Sequence, residues 1–237
     1  MGIISRSSVV ALVLLLSAGL ASAQSKVRVS GKVLYKGAAA APKEIDTHED
    51  AKCAAHGKVM AEDLLVNEDG TLRNVMVFVK EGLEGKEFEA PKDPVMLQQH
   101  DCRFEPHVFG VMVDQQLQIT NNDDTFHNVR GTPAEAPPFN LAQFSKGASN
   151  SLTFKAAEKA FPIQCDVHGW MKTYCWVFEH PYFSVTGAKG TFSLPPLAPG
   201  NYTLAAWHEK LGMLEQKITI EAGKKPAIEF TFEEPKK

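Results

Sequence analysis

Phe161-Pro162-Ile163-Gln164-Cys165-Asp166-Val167-His168-Gly169-Trp170-Met171 places a thiol, an imidazole and a thioether in one short loop, at the spacing Cys-x2-His-x2-Met. Thr173-Tyr174-Cys175-Trp176-Val177-Phe178 follows, and its apolar, aromatic composition reads as a strand beginning after the loop. Upstream, Thr120-Asn121-Asn122-Asp123-Asp124-Thr125-Phe126-His127-Asn128-Val129 is turn-rich and delivers a second imidazole, His127, onto another short strand.

Two histidines, one cysteine and a weak axial methionine are the ligand set of a blue-copper site. Soft sulfur with imidazole suits copper. Zinc sites more often add carboxylates or further cysteines and have no use for a thioether. Cys165 must be a thiolate to bind, and neighbouring imidazoles favour that form. The same residues have a competing reading: a Cys165–Cys175 disulfide, with His168 at the surface and Met171 in the core.

Around the loop, short apolar runs alternate with turns. Strands are expected at Val27–Tyr35, Leu64–Asn67, Val75–Lys80, Val95–Gln98 and Gly110–Thr120, the last with a bulge or tight turn at Asp114-Gln115. Others are expected at Leu152–Phe154, Tyr174–Phe178, Tyr182–Thr186, Gly190–Leu194, Tyr202–Trp207, Glu215–Ile220 and Ile228–Phe232. Asp69-Gly70 between apolar runs signals a hairpin, and a second hairpin is expected around Gly187-Ala188-Lys189. Ile45–Met60 shows no clear period, beyond a helical turn. No long amphipathic helix stands out. The pattern is that of an all-β chain.

Residues 1–23 carry one cation, Arg6, then an apolar run, then Ala21-Ser22-Ala23. This fits a cleavable secretory signal, with cleavage after Ala23 and a periplasmic or secreted product. The run falls short of the about 20 residues a spanning helix needs, and no later stretch is apolar enough to cross a membrane. The formal net charge of -3 lacks the basic excess that a nucleic-acid partner favours. Export puts the four cysteines in an oxidising compartment. With Cys165 reserved for metal, one disulfide is expected, Cys53–Cys102, and Cys175 is a buried thiol.

The segment around His127 followed by Cys165-x2-His168-x2-Met171 resembles the cupredoxin family, in its amicyanin- and plastocyanin-like branch. The likeness spans residues 94–179. It implies a Greek-key β-sandwich holding one type 1 copper ion on His127, Cys165, His168 and Met171. It also implies that Asn128 ties the two ligand-bearing segments together. Trp170 and Phe139 beside an exposed edge of His168 form a candidate docking patch for a redox protein partner; ordinary packing under the loop is the alternative for Trp170. Cys53-x2-His56-x3-Met60 and His107 are candidates for an accessory metal site.

Val29–Val33, Asn74–Val79 and Gly190-Thr191-Phe192-Ser193-Leu194 with Gly200-x-Tyr202-x-Leu204 resemble a carboxypeptidase regulatory-like (prealbumin-like) sandwich. Its halves, 24–93 and 180–237, flank the cupredoxin-like unit, which is therefore expected to be inserted into it; three consecutive units are the alternative. Neither Gly-x-Ser-x-Gly nor His-Glu-x2-His occurs, and a single cupredoxin-like unit has no multi-copper cluster for oxygen chemistry. The expectation is an exported one-electron carrier and not an enzyme. The alternative is a non-redox copper-holding or scaffold protein.

Overall fold

The computed structural model describes residues 25–38 and 41–234. The expected signal segment and a loose tail expected at 235–237 lie outside the described residues. Among the described residues the first strand is β1 (Ser30–Lys36). A strap follows, made of β2 (Glu44–Ile45), the short helix α1 (Ala51–Ala54) and β3 (Val59–Met60). The chain continues through β4 (Met76–Glu81), β5 (Val95–His100), β6 (Arg103–Glu105), β7 (Val108–Met112), β8 (Gln116–Asn121) and β9 (His127–Gly131). Then come β10 (Phe139–Gln143), β11 (Ser149–Thr153), β12 (Glu158–Gln164) and β13 (Lys172–Phe178). The last five are β14 (Phe183–Val185), β15 (Thr191–Ser193), β16 (Gly200–His208), β17 (Gly212–Ile220) and β18 (Ala227–Glu233). The protein is all-β.

β5 to β13 build the inner sandwich, from sheets ordered β10-β9-β12-β13-β7 and β11-β8-β5-β6. The parallel pairs β5–β8 and β7–β13 are the crossovers between otherwise antiparallel strands. The outer sandwich takes strands from both sides of this unit, in sheets ordered β15-β1-β18 and β14-β4-β16-β17. The inner sandwich is thus inserted between β4 and β14. Each has its own core: Val33, Leu72, Val77, Leu204 and Phe230 in the outer one, Leu97, Phe104, Leu117, Ile119 and Ile163 in the inner one.

Strand periodicity explains how the two are joined. Side chains alternate across a strand. On β4, Val77 and Val79 enter the outer core, while Met76 and Phe78 face the other way. On β13, Cys175 and Val177 enter the inner core, while Trp176 and Phe178 face out. The outward faces pack on each other: Phe78 lies 5.0 Å from the Trp176 ring and 5.2 Å from the Phe178 ring. Strands buried on both faces become near-continuous apolar runs, as Val75–Val79 and Cys175–Phe178 are. His107 adds a polar tie across the seam, hydrogen-bonded through Nε2 to Glu209.

Several expectations are corrected. The Asp69-Gly70 turn forms, but its arms meet only in the single bridge Val66–Leu72, and β4 pairs with β14 and β16 instead. The turn at 187–190 also forms, but β14 pairs with β4 and β15 with β1, so its arms lie in different sheets. β12 runs through Pro162; the ladder to β9 covers only Ile163 and Gln164, so the proline stands at its end. Gly31 is required where β1 meets β18, because a Cβ there would lie 2.0 Å from the Ile228 carbonyl oxygen.

Candidate metal centre

His127 is the first residue of β9, opposite Gln143 on β10. Cys165 follows the last residue of β12, and His168 and Met171 lie in the loop that leads into β13. The loop closes on itself: the Cys165 amide donates to the Met171 carbonyl (3.1 Å), and the Met171 amide to the His168 carbonyl (2.8 Å). Asn128 joins β9 to this loop. Its Oδ1 accepts from the Asp166 amide at 2.6 Å, and its Nδ2 donates to Asp166 Oδ2 at 2.8 Å. Arg130 holds the other Asp166 oxygen at 2.6 Å.

The result is a tight constellation. His127 Nδ1 and His168 Nδ1 are 2.9 Å apart, and Cys165 Sγ is 3.8 Å from His168 Nδ1. Ligand atoms of His127, Cys165 and His168 all lie within 4.8 Å of one another. The site is closed to solvent: exposures are 0% for His127, 3% for Cys165, 2% for His168 and 1% for Met171. Met171 packs in the same apolar cluster as Cys165.

Both imidazoles are held from behind by a carboxylate. His127 Nε2 bonds Asp123 Oδ2 at 2.9 Å, and Asp123 is itself fixed by the amides of Asp101 (2.8 Å) and Cys102 (2.9 Å). His168 Nε2 bonds Asp50 Oδ2 at 3.0 Å. Asp50 is the N-cap of α1 in the strap, where its side chain accepts from the Lys52 and Cys53 amides. The Cys53–Cys102 disulfide fastens the strap to the turn between β5 and β6.

These contacts reset the acid–base chemistry. Burial pushes the Cys165 thiol up, but hydrogen bonds from His127 and His168, with backbone amides, outweigh it and bring the pKa down to about 5. Burial pushes His127 down, yet Asp123 and Cys165 raise it overall. His168 is likewise raised, with Cys165 and Asp50 overcoming burial. Asp50 is brought down to about 2, because its bonds from His168, Thr125 and the helix amides outweigh burial. A thiolate therefore faces two imidazoles whose Nδ1 atoms point to one place. Cys175 is the opposite case: burial, then the Glu158 charge, push its thiol well up, so it stays protonated.

The other expected residues lie elsewhere. Cys53 is in the expected disulfide, His56 pairs with Asp101 at 3.0 Å, and Met60 lies on β3, so the candidate Cys53/His56/Met60 set is not assembled. His107 serves the seam. Of the candidate docking patch, Trp170 and Phe139 are half-buried and His168 is buried. The edge of His168 lies under Asp50, and the Trp170 indole packs against that ring (5.1 Å) while donating to the Cys102 carbonyl at 3.0 Å. Phe139 lies over Gly131, where a Cβ would come within 2.3 Å of its ring.

A family model described as Polysaccharide lyase family 4, domain II, matches residues 154–228, less than half of the chain and straddling the two sandwiches. Comparison with curated proteins finds no match. Among solved structures, the chain is similar to a Cu-containing nitrite reductase (NirK) from Thermus scotoductus SA-01, at 22% identity and a TM-score of 0.35, over 42% of this chain and 25% of that one. It spans about a quarter of that reductase's length. It is also similar to a purple cupredoxin from Nitrosopumilus maritimus (16% identity, TM-score 0.31, 35% of this chain and 98% of that one). A single-residue mutant of amicyanin in its Cu(I) form stands at 18% identity and a TM-score of 0.32, over 43% of this chain and 97% of that one.

Proposed function

We propose that this is an exported type 1 copper protein that passes single electrons between redox partners and is not itself an enzyme. The observation that carries the proposal is the convergence of His127 Nδ1, His168 Nδ1 and a low-pKa Cys165 in one buried place. Two imidazoles and a thiolate are the donors that copper prefers; both Nε2 atoms are held by carboxylates, and the two Nδ1 atoms share a hydrogen bond whose proton copper would displace. Met171 is the axial ligand in this reading. When bound, copper would supply a one-electron couple. The chain's own part is to hold three donors rigid and dry, through Asn128, the two carboxylates and the loop's internal bonds, so that little moves when the charge changes. Export rests on residues 1–23. The outer sandwich acts as a scaffold.

The test is copper addition to the purified mature chain. An intense visible absorption with one copper per chain, absent in Cys165→Ser, supports the proposal. Colourless copper binding that survives Cys165→Ser overturns it. One observation favours the second reading, copper holding without electron exchange: His168 is capped by Asp50 and is 2% exposed. Electron exchange with a small one-electron reductant separates the two. Fast reduction of the bound copper supports the carrier, and inert copper supports holding.

A further inference from the structure

We propose that Asp50 is the positioning residue of His168, and that the strap between β1 and β4 thereby completes the metal centre of the inner sandwich. The inference rests on the copper reading above and deepens it. Asp50 and His168 are 118 residues apart in sequence. The Asp50 carboxylate is fully committed: Oδ2 accepts from His168 Nε2 (3.0 Å) and Thr125 Oγ1 (2.9 Å), and Oδ1 from the Lys52 amide (2.7 Å). It therefore cannot swing away without breaking a helix cap and a bond to the loop before His127. The strap is fastened next to Asp50 by Cys53–Cys102 and by the Lys52 ammonium on the Asp124 carbonyl.

The two imidazoles are supplied differently. The inner sandwich provides Asp123 for His127 from its own β8–β9 loop. For His168 Nε2, the partner found among the described residues is Asp50. Without the strap, Nε2 of His168 would lose this carboxylate partner. An anionic acceptor on the far nitrogen fixes the tautomer, aims Nδ1 at the centre and makes it a better donor. A better donor favours the more highly charged ion, Cu(II) over Cu(I).

The experiment uses the full mature chain and copper, with Asp50→Asn and Asp50→Ala. Asparagine caps a helix as well as aspartate does, so Asp50→Asn keeps the cap and removes the anion. The expected result is a Cu(II) affinity lower by about 10–100-fold in chelator competition, the usual effect of losing such a partner. The Cu(I) affinity changes less, so the reduction potential rises, by about 59 mV for each tenfold selective loss. In the metal-free protein, ¹⁵N spectra of neutral His168 show an Nε2–H tautomer in the wild type and lose that preference in Asp50→Asn. The proposal is overturned if Asp50→Asn keeps the wild-type tautomer, affinity and potential while Asp50→Ala only lowers the melting temperature, for then Asp50 is a helix cap and nothing more. Failure of the copper reading has a different signature: no visible band in the wild type, with the tautomer shift still present.

Discussion

The Nδ1 atoms of His127 and His168 stand 2.9 Å apart although 41 residues separate them. Each ring turns its Nε2 to a carboxylate, Asp123 or Asp50, so the pair is oriented before any ligand arrives. Cys165 sits against both, and its ionisation gives the first test.

The far-ultraviolet thiolate absorbance of the metal-free protein should fall as pH drops through about 5, not near the ordinary 9.0. The folded pKa is depressed, so between these values the unfolded chain binds the extra proton and stability rises with pH. The Cys165 contribution is complete above about 9, shrinks below it and is gone once the thiolate protonates near 5. Cys175→Ala should leave the titration unchanged, because the Cys175 thiol is held protonated. A wild-type midpoint near 9 would mean the two imidazoles do not stabilise the thiolate.

Breaking the strap's fastening should be costly. Cys53 and Cys102 close a separation of 49 residues, and removing a native disulfide of this kind costs about 2–5 kcal/mol. The double variant Cys53→Ser/Cys102→Ser should lose that much in urea unfolding and should make His168 reactive to imidazole-modifying reagents. Protection of His168 equal to the wild type's would show that the strap stays seated without its bond.

The seam between the sandwiches should be a real part of the stability. Phe78 is buried against Trp176 and Phe178, and deleting a buried phenylalanine costs about 3–5 kcal/mol. Phe78→Ala should show that loss by denaturant titration. A loss below about 1 kcal/mol would leave the two units uncoupled.

Acid should weaken the fold through His208. Burial pushes its pKa down to about 4, its Nδ1 accepts from the Lys210 amide, and its buried Nε2 has no partner among the described residues. The ring stays neutral in the fold while the unfolded chain takes up a proton near the ordinary 6.5. The stability is therefore complete above 6.5 and declines as pH falls to about 4, by on the order of 3 kcal/mol. His208→Asn can keep the bond from the Lys210 amide and should flatten this slope; an unchanged slope would assign the acid effect to other groups.

Much of the inner site was legible because it is local. Cys165, His168 and Met171 share one loop, and His127 follows a turn-rich Asn/Asp cluster. Asp123 stood in the same quoted stretch, four residues before His127, and that spacing was a usable signal. Asp50 carried none, since nothing near residue 50 refers to residue 168. The turns at Asp69-Gly70 and 187–190 were legible for the same local reason, but which strands paired was not. Turn chemistry fixes where the chain reverses; the sheet that accepts each arm depends on partners far away in the sequence. β12 was hidden by Pro162, which a central strand tolerates here only at the end of its ladder to β9.

By itself the sequence determined an all-β chain and named the candidate donors of the site, because side-chain alternation, turn residues and ligand chemistry act over a few residues. The tertiary structure decided that the strap between β1 and β4 reaches over the inner sandwich, that Asp50 covers His168, and that the Trp170 indole packs on His168 and bonds the Cys102 carbonyl. Those outcomes depend on burial and hydrogen bonds between segments up to 118 residues apart, which only the closed fold brings within reach.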